Sequence, residues 1–354
     1  MTSPKRYIAV LSFFPLLLLL LSRQPAPADE PRAQPTIRSP LNQIAFNTDD
    51  GIYLISAQGN YRQQLAAISD DYFTLFLDWS PDGRRLVYSE FLYADSTTSN
   101  LYVMDVDGSN RQQLIGGPAE YGFPDWSPDG SRILFNSDRD GDWDIYTINA
   151  DGTNLQQLTD FPGIEELAVW SPNGSQIAFE SDQNGTYNIY VMQADGSNLR
   201  QLTANDIDSV RAAWSPDGTR IAYRTSGSAH NIFVMNADGT NQQQLTHNAD
   251  IPNVMLDLDW TPDGQHIVWE ESLNSWNGPF NTYIMDADGI HVIQLTENED
   301  FPNGFSFSPD STQIAIPITR HDQTLLFVMN LDGTDAHPLS GTEGVSSATW
   351  HPVR

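Results

Sequence analysis

The side chains with chemical potential in this chain are carboxylates, aromatics and a few histidines, and they gather in particular segments. Acidic and aromatic residues interleave at Ser69-Asp70-Asp71-Tyr72-Phe73, Glu120-Tyr121-Gly122-Phe123, Asp160 to Glu166, Asn205 to Asp208 and Glu297 to Phe301, with Tyr93, Trp143, Tyr187 and Trp276 in segments between them. This mixture suits capture of a cationic group, by ion pairing and by contact with aromatic faces, so the partner it predicts is a protein or a peptide, basic in character. The residues expected to carry binding are Asp70, Asp71, Tyr72, Tyr121, Trp143, Glu165, Glu166, Asp208, Trp276 and Asp300.

Catalysis has thinner support. His230, His247 and His321 fall in similar segments and could ring a divalent metal, which would make the chain a metal-dependent carbohydrate-active enzyme or a sugar binder. Nothing in their spacing requires a metal. No Gly-x-Ser-x-Gly elbow and no glycine-rich phosphate loop is present, and the absence of cysteine excludes disulfides and thiolate chemistry. The repeated Asp-x-Asp-Gly, as at Asp105 to Gly108 and Asp286 to Gly289, lacks the spaced oxygens and closing glutamate of a calcium loop and reads as a tight turn. Asp138-Arg139-Asp140-Gly141-Asp142 is nearer to a calcium-binding run. The expectation is of a non-catalytic scaffold without a cofactor, with Ca2+ or another divalent cation as the alternative.

Charge and targeting narrow the setting. The chain has 354 residues, 17 basic against 46 acidic, and a formal net charge of −29. Such a surface repels nucleic acid and anionic lipid. Lys5 and Arg6 precede an apolar run from Ile8 to Leu21 and then Ala26-Pro27-Ala28, the form of a signal peptide over residues 1–28. Export to the periplasm or the exterior is expected, with an uncleaved anchor as the other possibility. Residues 29–40 carry three prolines and read as a linker, and no later segment is apolar enough to span a bilayer. Residues 41–354 are expected to form one domain, as a monomer.

The elements that must position these side chains are repeats. Trp126-Ser127-Pro128-Asp129-Gly130 has close copies starting at Trp79, Trp170, Trp214 and Trp260, a weaker one at Phe307 and a truncated one at Trp350; the spacings are 47, 44, 44, 46, 47 and 43 residues. A period near 45 points to a solenoid or a propeller. In the third copy Gly122 to Trp126, Arg132 to Asn136, Asp144 to Ile148 and Leu155 to Thr159 read as four short strands separated by turns, which is one propeller blade. Asn42 to Leu65 supplies three strands without a tryptophan strand, and Val345 to Trp350 supplies only that strand, so the two ends should complete one blade of a seven-bladed, all-β ring. Ser311 replaces the turn glycine, at a cost of about 1 kcal/mol if the left-handed conformation is kept.

The pattern Trp-Ser-Pro-Asp-Gly, x-x-Ile-Ala-Phe, Ile-Tyr-x-Met, Asp-Gly-x-Asn and Gln-Leu-Thr resembles the repeat of the TolB-type β-propellers and covers nearly everything from residue 40 onward. The resemblance is to the C-terminal propeller of TolB without its N-terminal domain. It implies a propeller and docking to an envelope partner. In such a ring the acidic, aromatic connections share one face around the channel mouth, while the near-uniform turns share the other. Variation on one face of a uniform frame marks the binding surface.

Overall fold

The computed structural model describes residues 42–352, apart from 227–229, 248–253, 273–279, 298–303 and 321–322. Trp276, Asp300 and His321, like the signal and linker segments, lie outside the described residues. Seven four-stranded antiparallel sheets make up the fold. We number the blades in chain order and letter their strands a to d from the innermost outward.

Blades 2 to 7 are simple meanders, in which each strand pairs with the next in sequence. Blade 1 joins the two ends of the chain. Its inner strand Ser347–Trp350 pairs with Gln43–Thr48 in the register Ile44↔Trp350 and Asn47↔Ser347. Thr349 also accepts a hydrogen bond from the Trp79 indole of blade 2, at 3.1 Å. Trp350, in the truncated seventh copy, is therefore the closing one, as the sequence predicts, and the ring has no open inner edge.

Each recurring residue has a mechanical reason. The aromatic of strand b stacks on the aromatic of strand c in six blades, for example Phe46 on Tyr53 at 5.3 Å and Phe179 on Tyr190 at 5.7 Å. An arginine opening strand b lies over the next blade's tryptophan: Arg85 on Trp126, Arg132 on Trp170 and Arg220 on Trp260, at 4.5–4.8 Å. These contacts sew neighbouring blades together. The threonine of Gln-Leu-Thr accepts the N–H that opens strand c, as Thr159 does for Ile145 at 2.9 Å and Thr203 for Ile189 at 2.9 Å.

The turns are built as their chemistry requires. In Asp-Gly-x-Asn both glycine and asparagine are left-handed, at φ 84° for Gly152 and 55° for Asn154. The first aspartate accepts N–H and O–H from the residue two places on, as Asp151 does from Thr153. That carboxylate is occupied by its own turn. Ser311 keeps the left-handed turn at φ 55° and accepts an N–H from Asp263 of the adjacent turn at 3.0 Å, which offsets its strain.

Candidate functional site at the channel mouth

Inner strands of blades 2 to 6 do not run straight. Each slips register two to four residues before its tryptophan, between Leu75 and Asp78, Gly122 and Asp125, Glu166 and Val169, Val210 and Ala213, and Met255 and Leu258. The bulged residue is left-handed although it is not glycine: Phe76 at φ 58°, Phe123 at 51°, Leu167 at 52° and Arg211 at 58°. Such strain persists only where surrounding structure enforces it, and a bulge re-aims the side chain it carries.

Two of these re-aimed side chains meet. Phe76 and Phe123 pack with ring centroids 4.1 Å apart. Phe91 meets Phe76 at 6.1 Å and Phe73 at 5.3 Å, and Phe73 meets the exposed Tyr93 at 4.9 Å. Across from this aromatic group, Arg211 reaches Asp257 at 4.0 Å. Glu180 takes the Arg211 backbone N–H at 2.9 Å, and Asp208 takes that of Tyr187 at 3.0 Å. The wall of the mouth is thus aromatic in blades 2 and 3 and charged in blades 4 to 6.

Electrostatics on the charged side are unusual. Burial, then the neighbouring Glu180, pushes Glu166 up to about 8, so it holds a proton at neutral pH. Burial raises Glu180 also, with Arg211 pulling the other way. Arg224 is pushed down to about 10 by burial and by the charge of Arg211. His230, buried beside it, is pushed down to about 4 by burial and by Arg224. Tyr187 is raised by burial and then by Glu166.

Deeper in the channel stand Asp78, Asp125 and Asp259, each directly before its tryptophan. Asp78 accepts the N–H of Trp126 in the next blade at 3.1 Å, and Asp125 that of Trp170 at 2.9 Å. They tie backbone, as the sequence suggests. Asp259 accepts the N–H of Trp260 at 2.7 Å and is raised to about 7, first by the desolvation that the surrounding protein imposes and then by the charge of Asp257. Enclosure lifts Asp78 to about 6 and Asp125 well above the carboxylate range, with Asp78 adding repulsion to Asp125.

The predicted binding residues are dispersed. Asp70 and Asp71 are exposed and Tyr72 half-buried, on the connection into blade 2. Trp143 is half-buried and its carbonyl accepts the Glu165 N–H at 2.9 Å. Glu166 and Asp208 join the charged wall. Tyr121 and Glu165 are withdrawn from the surface, at 3% and 0% exposure, because each opens an inner strand with its side chain directed between blades. Arg211, Arg224, Glu180, Phe76 and Phe123 are mouth residues that reading the connections alone misses. Their signal lies within the strands, where one copy of the repeat departs from the others.

Of the histidines, His247 is exposed and His230 is buried near a guanidinium. The run after Ser137 brings carboxylate oxygens of Asp140, Asp142 and Asp144 within 4.8 Å of one another, a spacing that a divalent cation could bridge. Gln157 already donates to Asp140 at 2.6 Å and Asp144 at 3.1 Å, and Thr159 donates to Asp144 at 2.8 Å. A shallow depression of about 380 Å³ on the opposite face, lined by Arg85, Ser131, Asn149, Ala150 and Asp151, gathers no comparable set of titratable groups.

A closed seven-bladed ring with one uniform and one elaborated face defines a propeller of the kind that presents a site at its channel mouth. The family model described as the TolB beta propeller domain matches residues 54–255, and the chain belongs to that family. A search of curated proteins finds no match. Among solved structures, the chain is similar to TolB from Acinetobacter baumannii, at 18% identity and TM-score 0.55, over 88% of this chain and 83% of that one. An oligogalacturonate lyase in complex with manganese aligns at 15% identity and TM-score 0.62, over 83% and 84% of the two chains. A prolyl endopeptidase aligns at 13% identity and TM-score 0.66, covering 86% of this chain and 49% of that one. Likeness at these identities concerns the fold. Among the described residues no helix is long and apolar enough to cross a membrane.

Proposed function

We propose that this chain is an exported, non-catalytic propeller scaffold that captures a protein or peptide partner at its channel mouth. The observation that carries the reading is the division of the mouth into an aromatic wall around Phe76 and Phe123 and a charged wall around Glu166, Glu180 and Arg211, with Phe76, Phe123 and Arg211 each on a strained inner-strand bulge. A polypeptide segment offers apolar and charged groups at comparable spacing, and a rigid ring binds it without ordering itself first. The exposed Asp70 and Asp71 add an acidic rim that favours a basic partner and speeds encounter. The signal-like N-terminus supports action in the periplasm or outside the cell.

The test is capture of partners from an envelope extract by the parent and by an Asp70→Lys, Asp71→Lys variant. Both positions are exposed, so the fold should be untouched, and the expected outcome is weaker capture with a shallower dependence on salt. An unchanged set of captured proteins would refute the reading.

The alternative, a metal-dependent carbohydrate-active or sugar-binding propeller, draws support from the lyase-like fold. Arg224 beside His230 opposes it, since a guanidinium next to a candidate ligand repels a cation.

A further inference from the structure

We propose that Arg224, with Arg211, forms a carboxylate-binding site at the channel mouth. This inference rests on the binding role given to that face and assigns the chemistry of one group on the ligand.

Arg224 stands at a fixed place in strand b, directly after the stacked aromatic. In blades 1, 3 and 4 that place has settled structural work. Asn47 and Asn136 donate their amide N–H to carbonyls of the following inner strand, at Thr74 and Glu165. Glu180 receives the Arg211 N–H. In blade 5 the place is taken by a guanidinium that is 8% exposed. Among the described residues its Nε and Nη1 have no hydrogen-bond partner, and it forms no ion pair.

A buried guanidinium with idle donors is strongly unfavourable unless an acceptor arrives. The nearby carboxylates do not supply one. Glu180 is engaged by the backbone of Arg211, and Asp257 lies at the limit of ion pairing with the Arg211 side chain. Arg211 instead brings a second positive charge, with its side chain 32% exposed toward the mouth. Glu166, held neutral at pH 7 by its burial, adds a donor and no repulsion.

The group that fits is planar, carries a single negative charge and accepts two parallel hydrogen bonds, which describes a carboxylate. A phosphate would bring up to about twice the negative charge of a carboxylate into the neighbourhood of Asp208 and Asp257, and so a larger repulsion. The carboxylate can come from an acidic side chain of a peptide or from an acidic sugar, and the experiment separates these sources.

Binding to the full chain is measured by calorimetry at neutral pH with two matched pairs of probes. One pair is acetyl-Gly-Glu-Gly-amide and its glutamine counterpart; the other is methyl glucuronide and methyl glucoside. The expected result is that the charged member of one pair binds at least about tenfold more tightly than its neutral twin, as a charge-assisted bidentate contact allows. A preference in the peptide pair assigns the carboxylate to a polypeptide, and a preference in the sugar pair assigns it to a uronic acid. Arg224→Gln and Arg211→Gln should each erase that preference while melting temperature and circular dichroism stay near the parent's. If Arg224→Gln does not fold, Arg224→Lys, which keeps the charge and loses the fork, and the more exposed Arg211→Gln carry the comparison.

No binding of either charged probe, equal binding of charged and neutral twins, or a preference that survives both substitutions would overturn the site and leave the idle donors to water. The same proteins are tested for partner capture. Capture that depends on Asp70 and Asp71 without a carboxylate preference removes this site and leaves the scaffold reading standing. A carboxylate preference without capture does the reverse.

Discussion

Stability should fall as pH rises through the titration of Glu165, and replacing Glu165 with glutamine should flatten that fall. Glu165 is fully buried, and its Oε1 accepts the Ser181 hydroxyl at 2.7 Å. Burial, and then the charges of Asp144 and Asp142, pushes it up to about 8 from an ordinary value of 4.5. Asp144, raised by burial to about 6, ionises first, which leaves the proton on Glu165. The folded state thus keeps a proton that the unfolded chain releases near pH 4.5. The stability this group contributes is complete below that pH and is lost as pH rises through about 8. A shift of this size amounts to a few kcal/mol between pH 5 and pH 9. Glutamine has the shape of the protonated acid and no proton to lose. Urea denaturation at pH 5, 7 and 9 should show the parent losing roughly 2–4 kcal/mol more than Glu165→Gln across that range. Parallel pH profiles for the two proteins would refute the argument, because they would mean that Glu165 is ionised, or solvated, in the folded ring.

Two further outcomes test how the ring is held. Deleting residues 345–354 removes the inner strand of blade 1 and exposes Ile44 and Phe46, both fully buried, so the truncated chain should lose cooperative melting by calorimetry. Gly83→Ala should destabilise by about 2–3 kcal/mol in denaturant titration, since Gly83 is left-handed at φ +65° and a Cβ there would fall 2.1 Å from Nε2 of His351. That imidazole cannot step aside freely: it bonds the Gly83 carbonyl at 3.1 Å and packs edge-on against Trp79 at 4.7 Å. A double mutant with His351→Ala should recover part of the loss.

The fold was legible because its elements are repeated, and repetition turns weak local signals into a strong one. Trp350 alone is an unremarkable residue near a terminus; as the seventh member of a series it specifies how the ring closes. The site was less legible. Tyr121 and Glu165 read as members of connecting segments, yet each is the first residue of an inner strand, and in a strand a displacement of one residue turns a side chain from the rim into the wall. Arg211 and Arg224 lie within strands, where the eye expects packing. Only superposing the copies shows that arginine stands where blades 1 and 3 have asparagine and blade 4 has glutamate. The left-handed bulges at Phe76, Phe123 and Leu167 have no sequence signature at all, because glycine, the usual sign of that conformation, is absent there.

The pairing of Ile44 with Trp350 has a consequence for how the chain is made. Six blades can each complete themselves as soon as their own stretch of polypeptide has emerged. Among the described residues the first strand to appear, Gln43–Thr48, must wait beside an empty seat until the last one arrives. Through the whole of synthesis, and of any passage across a membrane, its inner edge is unsatisfied and sticky, and contacts spanning most of the chain form last. The same arrangement is a check on completeness: a copy that stops early never seals, and its open edge is the feature by which proteases and chaperones would recognise it.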